Sequence, residues 1–328
     1  MKKIKDTLQT TEVLQTKLHS IVESGFADFV KTTNARRIAV RGSIRFVVVA
    51  ALFIVAIAVF LFLAEVDLNT LQGKIIAMTA LLWVSVLLIS GRDWFIGSTL
   101  LAREVNMALV PILANTFNRT LLYTYNDNVN DTVAQMLDES GLLLGSFSNL
   151  NVKNVYTVFS DTDMRVHEVA FDQKEFKPKT KTVRYYATFI DVNLQEQYEG
   201  ETLFSTPAYR YGFSHEQFVH AASEEEKFTE VETSLDASKS LSIFSTQASG
   251  SQEYGSTELK QSLIDWSEEA KVNIRGMRKG TKLYILVPAS RESTSYTSTS
   301  TRLESIERYA RRIAQPIWRA LMLAESVK

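Results

Sequence analysis

The sequence contains no cysteine among its 328 residues. Disulfide bonds, thiolate metal sites and cysteine nucleophiles are therefore excluded. There is also no excess of positive charge, with 36 Lys and Arg against 37 Asp and Glu. Residues 100–328 are mildly acidic, with 25 basic and 30 acidic side chains. Because nucleic-acid-binding domains usually present a basic patch, we expect no nucleic-acid partner.

The sequence also lacks the glycine-rich patterns that hold phosphates or expose nucleophiles. It has no Gly-x-x-x-x-Gly-Lys-Ser/Thr loop, no Gly-x-Gly-x-x-Gly turn and no Gly-x-Ser-x-Gly elbow. No set of acid, base and nucleophile can be assembled from the remaining polar residues. We therefore expect no cofactor and favour a protein that is not an enzyme.

Two runs near the N-terminus have no charged side chain. Residues 46–64 (FVVVAALFIVAIAVFLFLA) and 75–91 (IIAMTALLWVSVLLISG) contain 19 and 17 residues. At about 1.5 Å per helical residue, each run approaches the ~30 Å hydrocarbon core of a bilayer. We predict a transmembrane hairpin over residues 46–97. The alternatives are two buried core helices or a cleavable signal peptide, but helices that are apolar all round leave no face for water.

The flanking charges predict the orientation of this hairpin. Basic residues precede the first run and follow the second, whereas the link between the runs holds Glu65, Asp67 and a single Lys74. Positive residues stay on the cytoplasmic side, so we predict a multi-pass protein of a bacterial inner membrane with both termini in the cytoplasm. The predicted anchoring residues are Arg36, Arg37, Arg41, Arg45, Arg92 and the interfacial aromatic Trp94.

Three further segments complete the predicted organisation. Residues 1–45 comprise an amphipathic helix and a basic juxtamembrane segment, because apolar residues recur there at helical spacing. That helix lies either on the inner leaflet or against the soluble domain. Residues 98–150 form a helical connector, in which Pro111 is expected to introduce a kink. Residues 151–328 form a cytoplasmic domain that ends in a C-terminal helix.

Segments rich in β-branched and aromatic residues predict the fold of the cytoplasmic domain. They are bounded by turn-forming residues, as strands usually are. A helix with an apolar stripe is expected at residues 257–270. We therefore predict an α+β fold with a largely antiparallel sheet and flanking helices. The predicted strands are KNVYTVFS, MRVHEVAF, TVRYYATFIDV, FTEVETS, LSIFST, VNIRGM and KLYILV.

The predicted C-terminal helix has an apolar stripe and a basic face. Thr301 and Glu304 form a capping box, and Pro316 is expected to kink the helix. The stripe consists of Leu303, Ile306, Ala310, Ile313 and Ile317. We interpret the basic face as a solvated surface, or alternatively as a contact for lipid headgroups or a partner. Its residues are Arg302, Arg308, Arg311, Arg312 and Arg319.

Two short patterns resemble metal sites. His215 and His220 are five residues apart, whereas the two histidines of a zinc-protease helix are four apart and face one metal ion. Asp161 and Asp163 form an Asp-x-Asp triplet that a sugar transferase uses to hold a divalent cation, but such triplets are common in turns. We keep these two aspartates as weak metal candidates and assign no catalytic or cofactor-binding residue.

Several dispersed motifs carry a family resemblance over most of the chain. They are Ser-Gly-Leu at 140–142, the acidic turn at Asp161, the strand at 185–189 with Tyr-Glu-Gly at 198–200, and the block at 241–288. Because of these motifs, the chain resembles a bacterial membrane family, the family of domain of unknown function 3137. Ala187 departs from the pattern, which has glycine there. The resemblance implies two N-terminal spans and a cytoplasmic β-rich domain, and it implies no activity.

The sequence leaves three hypotheses for the function. The first is a non-enzymatic, membrane-anchored interaction or scaffold module that binds a protein partner or forms a homo-oligomer. The second is a membrane-associated, metal-dependent enzyme that acts on a lipid-linked or sugar substrate. The third is an oligomeric channel or sensor, which is disfavoured because ion paths usually need ionisable residues inside the spans.

Overall fold

The computed structural model divides the chain into two compact units. One comprises Met1–Leu18, Val110–Thr294 and Tyr309–Lys328, and the other comprises His19–Leu109 and Ser295–Arg308. The residues that the structure describes are 16, 19–20, 26–62, 71–125, 128–143, 146–159, 163–174, 182–207, 213–225, 227–231, 241–247, 257–289 and 303–326.

Helices dominate the first third of the chain, and strands alternate with helices after it. In chain order, the described elements are α1 (Ala27–Thr32), α2 (Asn34–Phe62), α3 (Leu71–Phe117), β1 (Thr120–Tyr125), α4 (Asn130–Glu139), β2 (Phe147–Phe159), β3 (Met164–Lys174), β4 (Thr182–Ser205), α5 (His215–Glu224), β5 (Thr229–Val231), β6 (Ser242–Ser245), α6 (Thr257–Ala270), β7 (Arg275–Pro288) and α7 (Leu303–Ser326).

In the helical unit, α2 and α3 run antiparallel and approach closely. A Cβ atom at Gly97 would lie 2.9 Å from the Cα of Ala39, so only glycine allows this approach. Three contacts show the antiparallel direction. Their residue numbers rise from Thr33, just before α2, into α2, and fall along α3. The contacts are Thr33 donating a hydrogen bond to Glu104, Ala39 against Gly97, and Phe46 against Gly91.

One antiparallel sheet of seven strands forms the centre of the other unit. The strand order is β1-β2-β3-β4-β6-β5, and β7 pairs with the free side of β4. β4 is 24 residues long, and β7 follows it from the pair Ala187↔Pro288 to the pair Ser205↔Arg275. Register shifts between Asn193 and Glu201 interrupt this ladder. β4 therefore connects the two ends of the sheet.

Both faces of the sheet are buried. One face carries Val169, Phe171 and Phe189, which belong to a core with Leu137 of α4 and Phe218 of α5. On the opposite face, alternate residues of the same strands are also buried, and α7 adds a buried stripe. These opposite-face residues are Tyr156, Val166, Ile190, Ile285, Ala310, Ile313 and Ile317. Burial on two sides makes the unit three layers thick.

The structure confirms the predicted mixed α+β architecture, with an antiparallel sheet and flanking helices. Of the two predicted spans, one helical segment in the described part of the chain, Asn34–Ala56, is long and apolar enough to cross a membrane. The second apolar segment, Met78–Arg92, is shorter. The two-span hairpin therefore stays a prediction. Thr301 lies outside the described residues, so the capping box does too.

The strands differ from the predicted ones in several places. β4 continues to Ser205, well beyond the predicted segment TVRYYATFIDV, and β2 begins earlier than its predicted segment. β1 is a strand that the sequence pattern did not predict, and the two predicted strands VNIRGM and KLYILV are one continuous strand, β7. Gly280 has a positive φ of 57° at the irregularity between them. The chain therefore bulges at this point and stays in the same ladder, where two separate strands were predicted.

The buried stripe of α7 yields a prediction for stability. Ile313 is 3% exposed, and its replacement by alanine leaves a cavity. Ile313→Ala should lower the free energy of unfolding by about 2–5 kcal/mol, as large-to-small core changes do. Arg308→Ala on the same helix is the matched control, because Arg308 is exposed and its loss should change stability little. Urea unfolding measures both; equal midpoints for Ile313→Ala and wild type would contradict the core position of α7.

Candidate functional site

The apolar stretches of α2 and α3 expose most of their side chains. Val47 and Ile54 of α2 are 62% and 67% exposed, and Leu81 and Leu88 of α3 are 68% and 67% exposed. None of the side chains described between residues 47 and 59 or between 78 and 89 is buried. Soluble monomers rarely expose an apolar surface of this extent. These two stretches, which we call the apolar helical surface, are the first candidate site.

Basic residues line the helical turns next to this surface. Arg37, Arg41 and Arg45 are all exposed and recur every four residues, so they lie along one side of α2. Arg36 is half-buried, and its Nη1 donates to the carbonyl oxygen of Lys31 at 3.0 Å. Arg92 of α3 is exposed. The sixth predicted anchoring residue is Trp94, whose side chain is not among those that the structure describes.

The predicted basic face of α7 is only partly solvated. Arg308 is exposed, whereas Arg311 and Arg312 are half-buried. Arg319 pairs with Glu269 of α6 and is 14% exposed, so it connects two helices of the fold. Arg302 falls outside the described residues. The face is therefore open to solvent at Arg308 and partly covered at Arg311 and Arg312, and its interpretation as a solvated surface or as a contact for lipid or a partner stays a prediction.

The aspartate triplet lies at the connection between β2 and β3. Asp163 is exposed, and its backbone oxygen accepts a hydrogen bond of 2.8 Å from the backbone N–H of Asn193. Asp161 lies outside the described residues. In the part of the chain that the structure describes, no three His, Asp or Glu side chains gather as metal ligands.

The two histidines of the zinc-like pattern lie on α5 and have different surroundings. The Nδ1 atom of His215 is 3.0 Å from the Ser205 hydroxyl, and its Nε2 atom is 3.5 Å from that of Ser242. Burial, together with the charge of Arg275, lowers the pKa of His215. His220 is 74% exposed and faces Glu224. The rings therefore do not converge on one ion.

A buried polar cluster lies between β1, β2 and β3. Asn154 donates a hydrogen bond to the carboxylate of Glu168, and the Tyr123 hydroxyl donates to Asn154 at 2.8 Å. Burial raises the pKa of Glu168 to about 7, against the opposing effects of Asn154 and Lys153. The Tyr156 hydroxyl is buried nearby without a hydrogen-bond partner among the described residues. Glu168 therefore changes protonation near neutral pH inside the fold.

A second buried polar group, Arg275, lies on the face that carries Phe171 and Phe189, and it connects that face to two loops. Its Nη1 and Nη2 donate to the carbonyl oxygens of Leu142 at 2.8 Å and Ser214 at 2.7 Å. Its guanidinium lies 4.9 Å from the ring centre of Phe213. Burial lowers the pKa of Arg275 to about 9. No carboxylate pairs with it in the described ranges, so carbonyl groups and aromatic faces compensate its charge.

Sequence reasoning did not single out Glu168 or Arg275. The one sign in the sequence of a buried polar group was the pair His167-Glu168. Adjacent residues of a strand point to opposite faces, so one polar side chain of the pair faces the core even if only one face of the sheet is covered. Both are buried here, since both faces of the sheet are covered. His167 is 2% exposed, and burial with the charge of Arg165 lowers its pKa to about 4. The residue pattern of a single strand did not show that both faces of the sheet are covered.

Comparison of the chain with protein-family models, with curated proteins and with solved structures finds no match.

The buried carboxyl of Glu168 predicts an effect of pH on stability. The pKa of Glu168 is about 7 in the folded chain, against an ordinary value of 4.5. Between these two pH values Glu168 is ionised in the unfolded chain but still protonated in the folded chain. The free energy of unfolding therefore falls as the pH rises through this range. The full loss of stability is reached above about pH 7. Glu168→Gln should remove that cost and stabilise the protein by about 3 kcal/mol at about pH 8, with no gain at about pH 4.5.

The measurement compares urea unfolding of the variant and wild type at both pH values. The difference between the two proteins is needed, because His167 has the opposite effect: its lowered pKa removes stability as the pH falls from about 6.5 to about 4. Glu216→Gln, at an exposed position of α5, is the control and should leave both curves unchanged. A gain of equal size at both pH values would contradict the assignment to Glu168 ionisation.

Proposed function

We propose that the chain is an integral protein of a bacterial inner membrane, in which α2 and α3 span the bilayer as a hairpin and an α+β domain in the cytoplasm binds a protein partner. The observation that carries this proposal is the apolar helical surface, which has no buried side chain among those described. Lipid tails would cover both helices without the hydration cost that water imposes.

The length of the second helix supports a second span. α3 begins at Leu71 and continues without a break beyond residue 91, and its antiparallel contacts with α2 suit a helical hairpin. Residues 75–91 cover about 26 Å as a helix, slightly less than the ~30 Å hydrocarbon core. Snorkelling of Lys74 and local thinning of the bilayer accommodate such a difference at small cost.

The positions of the arginines support cytoplasmic termini. Arg37, Arg41 and Arg45 are exposed on the last two turns of α2 before its apolar stretch, and Arg92 is exposed where the apolar stretch of α3 ends. In a hairpin, both groups lie on the same side of the membrane. The retention of positive residues in the cytoplasm makes that side the inner one.

An interaction role is favoured over catalysis because the polar groups of the domain are used within the fold. His215 contacts Ser205 and Ser242, Arg275 donates to two backbone carbonyls, and Glu168 accepts from Asn154. Catalytic groups need access to a substrate, whereas these groups hold elements together. The resemblance to domain of unknown function 3137 is part of the same proposal.

Cysteine labelling tests the topology in this cysteine-free chain. Asn69→Cys, in the link between the proposed spans, should react with a membrane-impermeant maleimide on spheroplasts with intact inner membranes. Ser223→Cys, on the exposed side of α5, should react only after lysis, because the domain is inside. Labelling of Ser223→Cys in intact spheroplasts would reverse the topology. Protection of both positions before lysis would show that the chain does not span the membrane.

A further inference from the structure

The sheet has three outer edges, and they differ in how they are protected. β7 pairs only with β4 among the described strands, but most of its residues are buried, so its free edge is covered. β5 is three residues long and contains Glu230. β1 has six residues, TLLYTY, with no charge, proline or glycine. In natural sheets an open edge strand is usually very short, carries charge or proline, or is covered by another element. β1 is not very short and has neither charge nor proline.

β1 is also open to contact. None of its six residues is buried, and Leu122 is 55% exposed. Its register with β2 pairs Thr120 with Phe159 and Leu122 with Thr157, so Leu122 and Phe159 lie on the same face of the sheet. Phe159 is 46% exposed. The uncharged edge strand β1 therefore carries one exposed apolar side chain, Leu122, and a second, Phe159, lies on the same face of the neighbouring strand.

We propose that β1 pairs antiparallel with β1 of a second copy, which extends the sheet across a twofold axis. Such addition of a strand to an open edge is a common mode of protein recognition. The axis is perpendicular to the sheet, so residues that face one side in the first copy meet residues that face the same side in the second. This inference rests on the proposed interaction role and names the partner as the chain itself.

The charges around β1 favour a second copy as its partner. No charged residue lies within the strand, so self-pairing brings no like charges together. Arg119 precedes the strand and Asp131, which is exposed, follows it on α4. In an antiparallel pair, the basic end of each strand points toward the acidic end of the other. A twofold contact forms this complementary arrangement twice.

Tethering to a membrane strengthens such a contact. A pair of six-residue strands buries less area than the ~1,600 Å² of a standard interface, so its affinity in dilute solution is low. Anchored copies share one surface, and their effective concentration is far higher than in free solution. The test is therefore made in membranes with the full chain.

Disulfide crosslinking locates the axis. Leu122→Cys and Tyr123→Cys are each introduced into the cysteine-free chain and oxidised in native membranes. One of the two should give a disulfide-linked dimer, because residues at the axis face their own copies across the edge. Ser223→Cys is the control for random collision, since it is exposed on α5. Dimer yields at 122 and 123 no higher than at 223 would overturn the proposal.

Co-purification of two differently tagged copies tests the edge itself. Leu122→Lys in both copies should reduce recovery of the second copy at least tenfold, because it puts lysine on the open edge. Thr229→Lys, on the exposed β5 edge, adds the same side chain elsewhere and should leave recovery unchanged. Full recovery with Leu122→Lys would overturn the edge contact. If Asn69→Cys is still labelled in that case, the membrane topology stands and the copies meet through another surface.

Discussion

The antiparallel ladder between β4 and β7 is the interaction on which the rest of the α+β unit depends. β4 pairs with β3 along its first half and with β6 along its second, while β7 follows both halves. Among the described strands, those on either side are therefore joined through β4. Irregular register between Asn193 and Glu201 lets the two halves twist differently without losing continuity. Any local change that separated β7 from β4 would detach the strand that pairs along both halves of β4.

Because helices and loops cover both faces of this sheet, its polar residues have little access to water. The fold compensates them in three different ways: Glu168 receives a hydrogen bond, Arg275 donates to carbonyls, and His167 stays uncharged near neutral pH. A buried ionised group without such partners costs several kcal/mol, on the order of a large part of the total stability. The perturbed pKa values of these groups thus follow from burial in the core, and they do not require a catalytic role.

The sequence predicted the elements whose pattern is local, and it missed those that depend on distant pairing. The segments of β2, β3 and β6 and the helix α6 were predicted because β-branched or apolar residues repeat within each of them. β1 was missed, since it follows a long helix directly and is a strand only because β2 pairs with it. VNIRGM and KLYILV were predicted as two strands, but the ladder with β4 continues past Gly280 between them. The buried positions of Glu168 and Arg275 were not predictable either, because they depend on which helices cover each face.

The two candidate surfaces of this chain, the apolar helical surface and the β1 edge, have different physical requirements. Cover of the apolar surface by lipid does not depend on protein concentration, since a bilayer is always in excess. A β1 contact is limited by the number of copies that meet, and its main-chain hydrogen bonds replace hydrogen bonds to water with a small net gain. An anchor that confines the copies to one surface reduces the entropic cost of their encounter. In the proposed arrangement the weak edge and the strong anchor would act together: an uncharged strand too short to hold a dimer in solution would be sufficient for contact once a membrane supplied proximity.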